Sequence, residues 1–133
     1  MFQVTVSYGF PVDPSAFDRY YEDVHLPLAT TIPNVRSLVA SRCESWGGAE
    51  AQAYFQVTLT FDSREAAQQA FQSDQGQAAT ADIPQLATGG FTVTAATVEP
   101  TLTIPTAAPE PDDAGLPTQP VDRDVPARTE QAG

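Results

Sequence analysis

The sequence predicts an α+β domain of ferredoxin-like βαββαβ order, a four-stranded antiparallel sheet with two helices on one face. Three observations carry this. Stretches such as Phe2 to Tyr8 and Phe55 to Phe61 place apolar side chains at every second position, the period of a half-buried strand. Two intervening stretches repeat apolar residues at helical spacing behind a capping residue. The two kinds of segment then follow one another as strand, helix, strand, strand, helix, strand.

In the first strand Phe2, Val4, Val6 and Tyr8 alternate with Gln3, Thr5 and Ser7, and Gly9 and Pro11 end it. Asp13 stands as an N-cap ahead of Pro14 at the first helical position. Phe17, Tyr20 or Tyr21, Val24 and Leu28 supply the apolar spacing of the helix, and Pro27 is expected to kink or end it near His25. Val35 to Trp46 reads as the second strand, Gly47-Gly48 as a turn region and Ala53 to Phe61 as the third strand, with a hairpin-like pairing across the turn. Ser63 caps the second helix, whose stripe is Ala66, Ala67, Ala70 and Phe71, and Gly76 is expected to stop it. A short irregular or helical piece leads to Gly89-Gly90, and Phe91 to Val98 is the fourth strand.

The chain has 133 residues, 41% hydrophobic and 9% aromatic, enough for one domain with an ordinary core. Beyond residue 100 the composition changes. Seven prolines from Pro100 to Pro126 are interleaved with Asp, Glu, Thr, Ala and Gly and few large apolar side chains. Such a segment cannot bury enough surface to offset its ordering entropy. The expected division is a folded domain over residues 1–103 and a disordered acidic tail over 104–133, with docking to a protein partner as the alternative role for the tail.

A formal charge of -11, no lysine and six scattered arginines argue against a nucleic-acid surface, which needs clustered cations to displace counterions. No apolar run approaches the about 20 residues that span a bilayer, and the start lacks a secretory pattern. A cytoplasmic location is expected. The single Cys43 and single His25 cannot build a Cys/His metal cage within one chain, and no strand-GxGxxG-helix or GxxxxGK[ST] pattern is present. Neither a metal nor a cofactor is indicated. Cys43 itself reads as structural, since no local motif supplies a base for it.

An antiparallel sheet with helices on one side leaves its other face to solvent or a partner. By alternation that face carries Gln3, Thr5, Ser7, Tyr54, Gln56, Thr58, Thr60, Thr92 and Thr94. Polar but uncharged, it suits a wet interface between two sheets; the plainer reading is that Thr favours strands and tolerates water.

His25, the only histidine, sits in Tyr20-Tyr21-Glu22-Asp23-Val24-His25-Leu26-Pro27 among aromatic, acidic and apolar neighbours. Proton transfer near neutral pH would most naturally use it, because an unperturbed imidazole titrates at about 6.5. The alternative is a residue at a helix C-terminus, held by the macrodipole.

These residues resemble the EthD family of the dimeric α+β barrel superfamily. The resemblance rests on Tyr8-Gly9, the Asp13-Pro14 cap, Phe17-Asp18, Tyr20-Tyr21, His25, Pro27-Leu28-Ala29 and Pro33, and it extends to about Val98 by topology. It implies a homodimer whose two sheets face each other as a barrel, and a small-molecule pocket near His25. It also implies a catabolic or tailoring role, with a non-catalytic accessory dimer supporting an oxygenase system as the alternative. Asn34 follows Pro33 where the family commonly has Gly, a position that Asn fills because it tolerates the left-handed region.

If the pocket is catalytic, His25 is the general acid/base for isomerisation, dehydration or oxidation of a small oxygenated or aromatic compound. Tyr20 or Tyr21 would donate a hydrogen bond to a developing enolate or phenolate. Adjacent helical residues diverge, so only one of the two can point fully inward. Glu22, three residues before His25, is the expected partner of the imidazolium.

Overall fold

The computed structural model describes residues 1–99 together with Leu102, Ile104 and Pro105, so the expected tail lies almost wholly outside the described residues. Strands β1 (Phe2–Tyr8), β2 (Ser37–Arg42), β3 (Phe55–Phe61) and β4 (Phe91–Thr97) form one sheet of order β2-β3-β1-β4. All neighbouring strands are antiparallel, with Tyr8 opposite Phe55 on one side and Phe91 on the other. This is the ferredoxin-like arrangement that the alternation of elements predicts. The period of two in β1 and β3 becomes their burial pattern: Phe2, Val4, Val6 and Tyr8, with Phe55, Val57, Leu59 and Phe61, are buried. The edge strands stay open, and every residue of β4 is exposed.

On the opposite face Gln3, Thr5, Ser7, Gln56 and Thr58 are half-buried, Thr60 is buried, and Thr92 and Thr94 are exposed. The Thr5 and Thr58 hydroxyls meet at 2.9 Å in the middle of this face. Tyr54, expected there too, precedes β3 and packs instead against Phe17 with ring centroids 5.4 Å apart. Its hydroxyl donates to Asp18 Oδ1 and accepts from Arg42 Nη1, each at 2.9 Å, which draws the ring out of the alternation.

The first helical segment differs from expectation in a way that matters for the site. Asp13 caps α1 (Pro14–Tyr20), its Oδ1 accepting from the Ala16 N–H at 3.2 Å. The chain then passes through a wide π-turn (Tyr21–His25) straight into α2 (Leu26–Ala29). Of the two outcomes expected of Pro27, it does not end the helix near His25, but the regular winding is interrupted there. The Leu26 N–H reaches back five residues to the Tyr21 carbonyl, and this wider winding relieves the clash that the proline ring would make in a regular helix. His25 is therefore inside a helical run and not at its C-terminus.

The second helical segment is also longer than predicted. Ser63 caps α3 (Arg64–Gln72), and Ser73 caps α4 (Asp74–Leu86), which takes up the stretch expected to be a short irregular or helical piece. Gly76 is not a stop. It lies in the first turn of α4, where the Ser73 hydroxyl accepts from its N–H at 3.0 Å. A Cβ there would overlap the Ala70 carbonyl oxygen and lie 2.7 Å from the Phe71 Cα, so the residue is glycine because α3 and α4 meet at that point. The second strand is shorter than expected, ending at Arg42, and Trp46 lies beyond it in a tight turn with 87% exposure. Asn34 has φ 68°, the left-handed conformation expected of it, and its Nδ2 donates to the Ala66 carbonyl.

Candidate functional site

Of the adjacent tyrosines, Tyr21 turns inward and is buried, with its ring 4.8 Å from that of Phe55, whereas Tyr20 is only half-buried. The π-turn also directs His25 into the core, where it is 6% exposed. Facing these two from the sheet is Tyr8, which is 1% exposed. The three side chains line a small chamber between the helices and the sheet, whose remaining walls include Val6, Ile32, Val57, Leu59, Phe71 and Ile83. Its volume is about 30 Å3. That is room for one or two water molecules.

Two polar features distinguish this chamber from an ordinary core. The first is that the Tyr21 hydroxyl is buried with no hydrogen-bond partner among the described residues. An orphaned buried hydroxyl costs about 1–3 kcal/mol, which an occupant of the chamber with an acceptor oxygen would return. The second is the anchoring of His25. Its Nδ1 lies 3.0 Å from Asp82 Oδ2, and Tyr20 donates its hydroxyl proton to Asp82 Oδ1 at 2.6 Å. Both side chains of the His25–Asp82 pair are largely enclosed.

Burial pushes the Tyr8 phenol well above its ordinary 10.0, with the nearby Tyr21 and Asp82 adding to the effect. Burial likewise raises the Tyr21 phenol. The hydrogen bond to Asp82 is the main reason that the Tyr20 phenol is raised. All three therefore remain protonated donors at physiological pH.

His25 and Tyr21 both line the chamber, with ring centroids 6.1 Å apart. Tyr20 does not line this chamber; it stands behind it, bonded to Asp82. Glu22 is exposed and is not the partner of His25. The winding of the π-turn gives that place to Asp82, which is 57 residues away in sequence. The sequence reading misses Asp82 because nothing local ties it to a residue 57 positions earlier. A signal existed: it is the only charged residue between Asp74 and Glu99, and Asp is a poor helix former in a helix interior. Tyr8 was seen only as a strand residue. Cys43 lies just past β2, half-buried, and does not line the chamber. Among the described residues no three His, Cys, Asp or Glu side chains are grouped to hold a metal ion, and no helix is long and apolar enough to cross a membrane.

The geometry defines a ferredoxin-like α+β domain with a histidine–carboxylate pair set against a small apolar chamber. The EthD domain model matches residues 11–90, and the chain belongs to that family. It is 43% identical over 93 residues to an uncharacterised 11.0 kDa protein from the thcB–thcC intergenic region of Rhodococcus erythropolis, covering 70% of this chain and 90% of that protein. The crystal structure of an ethyl tert-butyl ether D (EthD) family protein from Bacillus halodurans superposes with a TM-score of 0.70 at 28% identity, covering 74% of this chain and 99% of that one. Fold alone is shared with SnoaB, a cofactor-independent oxygenase from Streptomyces nogalater (TM-score 0.56, 11% identity, 76% of this chain and 95% of that one). The same is true of a dimeric ferredoxin-like protein of unknown function from Thermobifida fusca (TM-score 0.55, 14% identity, 73% of this chain and 90% of that one).

Proposed function

We propose that this chain is a cofactor-independent enzyme that moves a proton on a small, uncharged, oxygenated ring compound, with His25 as general acid/base and Tyr21 as hydrogen-bond donor. The observation that carries this is the orphaned Tyr21 hydroxyl beside a carboxylate-anchored imidazole in an apolar chamber. A carbonyl oxygen of the substrate accepts from Tyr21, and the Nε2 of His25 removes a proton from the adjacent carbon or from a phenolic oxygen. The negative charge that develops on the substrate oxygen is met by a phenol which burial keeps protonated. Return of the proton at another position completes an isomerisation; loss of a β-hydroxyl, protonated by His25, completes a dehydration.

The chamber's lining has no cation, and Asp82 places negative charge behind His25, so carboxylated substrates are disfavoured. Chemistry on a ring also requires the chamber to widen beyond its two-water size. The π-turn is the irregular segment that carries both Tyr21 and His25, and π-turns are characteristic of functional sites in helices.

The same reading includes a homodimer packed through the open sheet face. Its support is the row of uncharged hydroxyl and amide side chains in the middle of that face and the dimeric ferredoxin-like neighbour.

Thermal-shift screening with neutral aromatic ketones, lactones and quinones, on the natural protein and His25→Gln, tests the catalytic reading. Ligand-induced stabilisation that depends on His25, followed by turnover of the same compound, is expected. Stabilisation without turnover, unchanged in His25→Gln, would replace it with a non-catalytic binding or accessory role.

A further inference from the structure

The structure assigns a positioning role to Asp82: held from behind by Tyr20, it fixes His25 in the tautomer with the proton on Nδ1 and the basic lone pair on Nε2. This inference deepens the reading of His25 as acid/base and rests on it for its functional meaning, though not for its test.

An ionised carboxylate only accepts hydrogen bonds, so a neutral imidazole whose Nδ1 is 3.0 Å from Asp82 Oδ2 carries its proton on that nitrogen. The other ring nitrogen is then the base. Nε2 makes no hydrogen bond among the described residues, and the ring lines the chamber, so this lone pair is left for an occupant. Asp82 is itself constrained. Its second oxygen accepts the Tyr20 hydroxyl at 2.6 Å, a bond between α1 and α4 that stops the carboxylate from rotating. Without Tyr20 the carboxylate could present either oxygen or swing away; with both bonds made, each oxygen has one assigned donor.

The sequence around Asp82 agrees. Ala79, Ile83 and Leu86 of α4 are buried, and Asp82 shares their inward side as the only charged group of the helix beyond its first turn. A residue with poor interior helix propensity in such a place is maintained by its partners. The titratable groups facing the imidazole are Asp82 from α4, Tyr21 from its own turn and Tyr8 from β1, with Tyr20 of α1 acting through Asp82. From β3 and α3 the chamber receives only Val57, Leu59 and Phe71.

Because His25 is the only histidine in the chain, its two ring nitrogens can be read directly by 15N-labelled NMR on the full-length protein, without any substrate. In the natural protein at a pH above the imidazole transition, the expected spectrum is that of the Nδ1–H tautomer. Asp82→Asn should lose the fixed tautomer, because an amide can present its NH2 to Nδ1 and so hold the ring with its proton on Nε2. Tyr20→Phe frees the carboxylate to rotate and should mix the two tautomers in the 15N spectrum. Asp82→Glu should restore the Nδ1–H form in part.

An Nε2–H tautomer in the natural protein overturns the assignment. So does an Asp82→Asn protein whose tautomer matches the natural one. If Asp82→Asn does not fold, a Tyr20→Phe protein with the natural tautomer signature is the overturning result. None of these outcomes depends on turnover, so a fixed tautomer in a protein that proves inactive would refute the catalytic reading and leave the positioning intact.

Discussion

Tyr21→Phe removes one oxygen atom from the core and should make the protein more stable. The phenyl ring retains the edge contact with Phe55 at a centroid distance of 4.8 Å and the tilted approach to His25 at 6.1 Å. What disappears is a buried hydroxyl that has no partner. Leaving such a group unsatisfied costs about 1–3 kcal/mol, and water in a chamber of about 30 Å3 returns part of that. The expected net gain is about 1 kcal/mol, which for a domain of this size raises Tm by about 4–8 °C. Urea unfolding followed by circular dichroism, with an unchanged slope, measures it directly. The same substitution should weaken a ligand found by the screen by about 2- to 10-fold, and its turnover by about 100-fold or more, because the donor acts most strongly on developing charge. A gain in stability coupled to a loss of function is what distinguishes a site from a packing detail. Destabilisation by more than about 1 kcal/mol would mean that the hydroxyl is satisfied in the native protein and that the chamber needs no occupant to satisfy it.

Gly76→Ala should destabilise the fold by about 1–3 kcal/mol in the same urea assay, since the new Cβ must push the backbone of α4 away from Ala70 and Phe71; an unchanged midpoint would show that the α3–α4 junction yields freely. Stability should also fall in alkali. The folded-state pKa of Tyr8 lies above the ordinary 10.0, so its contribution is complete below pH 10 and is lost as pH rises through the folded value. Urea midpoints between pH 9 and pH 12 should therefore decline from about 10 upward, less steeply in Tyr8→Phe, and a flat profile would contradict the burial of that phenol. Thr58→Arg places a charge beside Thr5 in the middle of the open sheet face, and should convert a dimer to a folded monomer in light-scattering chromatography. An intact dimer would move the interface elsewhere.

The order of elements, the buried face of β1 and β3 and the uncharged face opposite were legible from local pattern, because side-chain alternation in a strand is fixed by backbone geometry and needs no knowledge of the fold. The same local geometry told that only one of Tyr20 and Tyr21 turns fully inward, and the lone imidazole marked His25. Local signals were incomplete where tertiary context overrode propensity: Pro27 disturbs the winding near His25 as expected, but as a π-turn and not as a stop, and Gly76 marks a close helix crossing rather than an end. Which group anchors His25 was beyond the sequence for a different reason. Glu22 is near along the chain, but Asp82 is near in space, and only the packing of α4 against the π-turn brings a carboxylate 57 positions away to 3.0 Å. Helical periodicity assigns a residue to a face of its own helix; which side chain it meets there is decided when the elements pack.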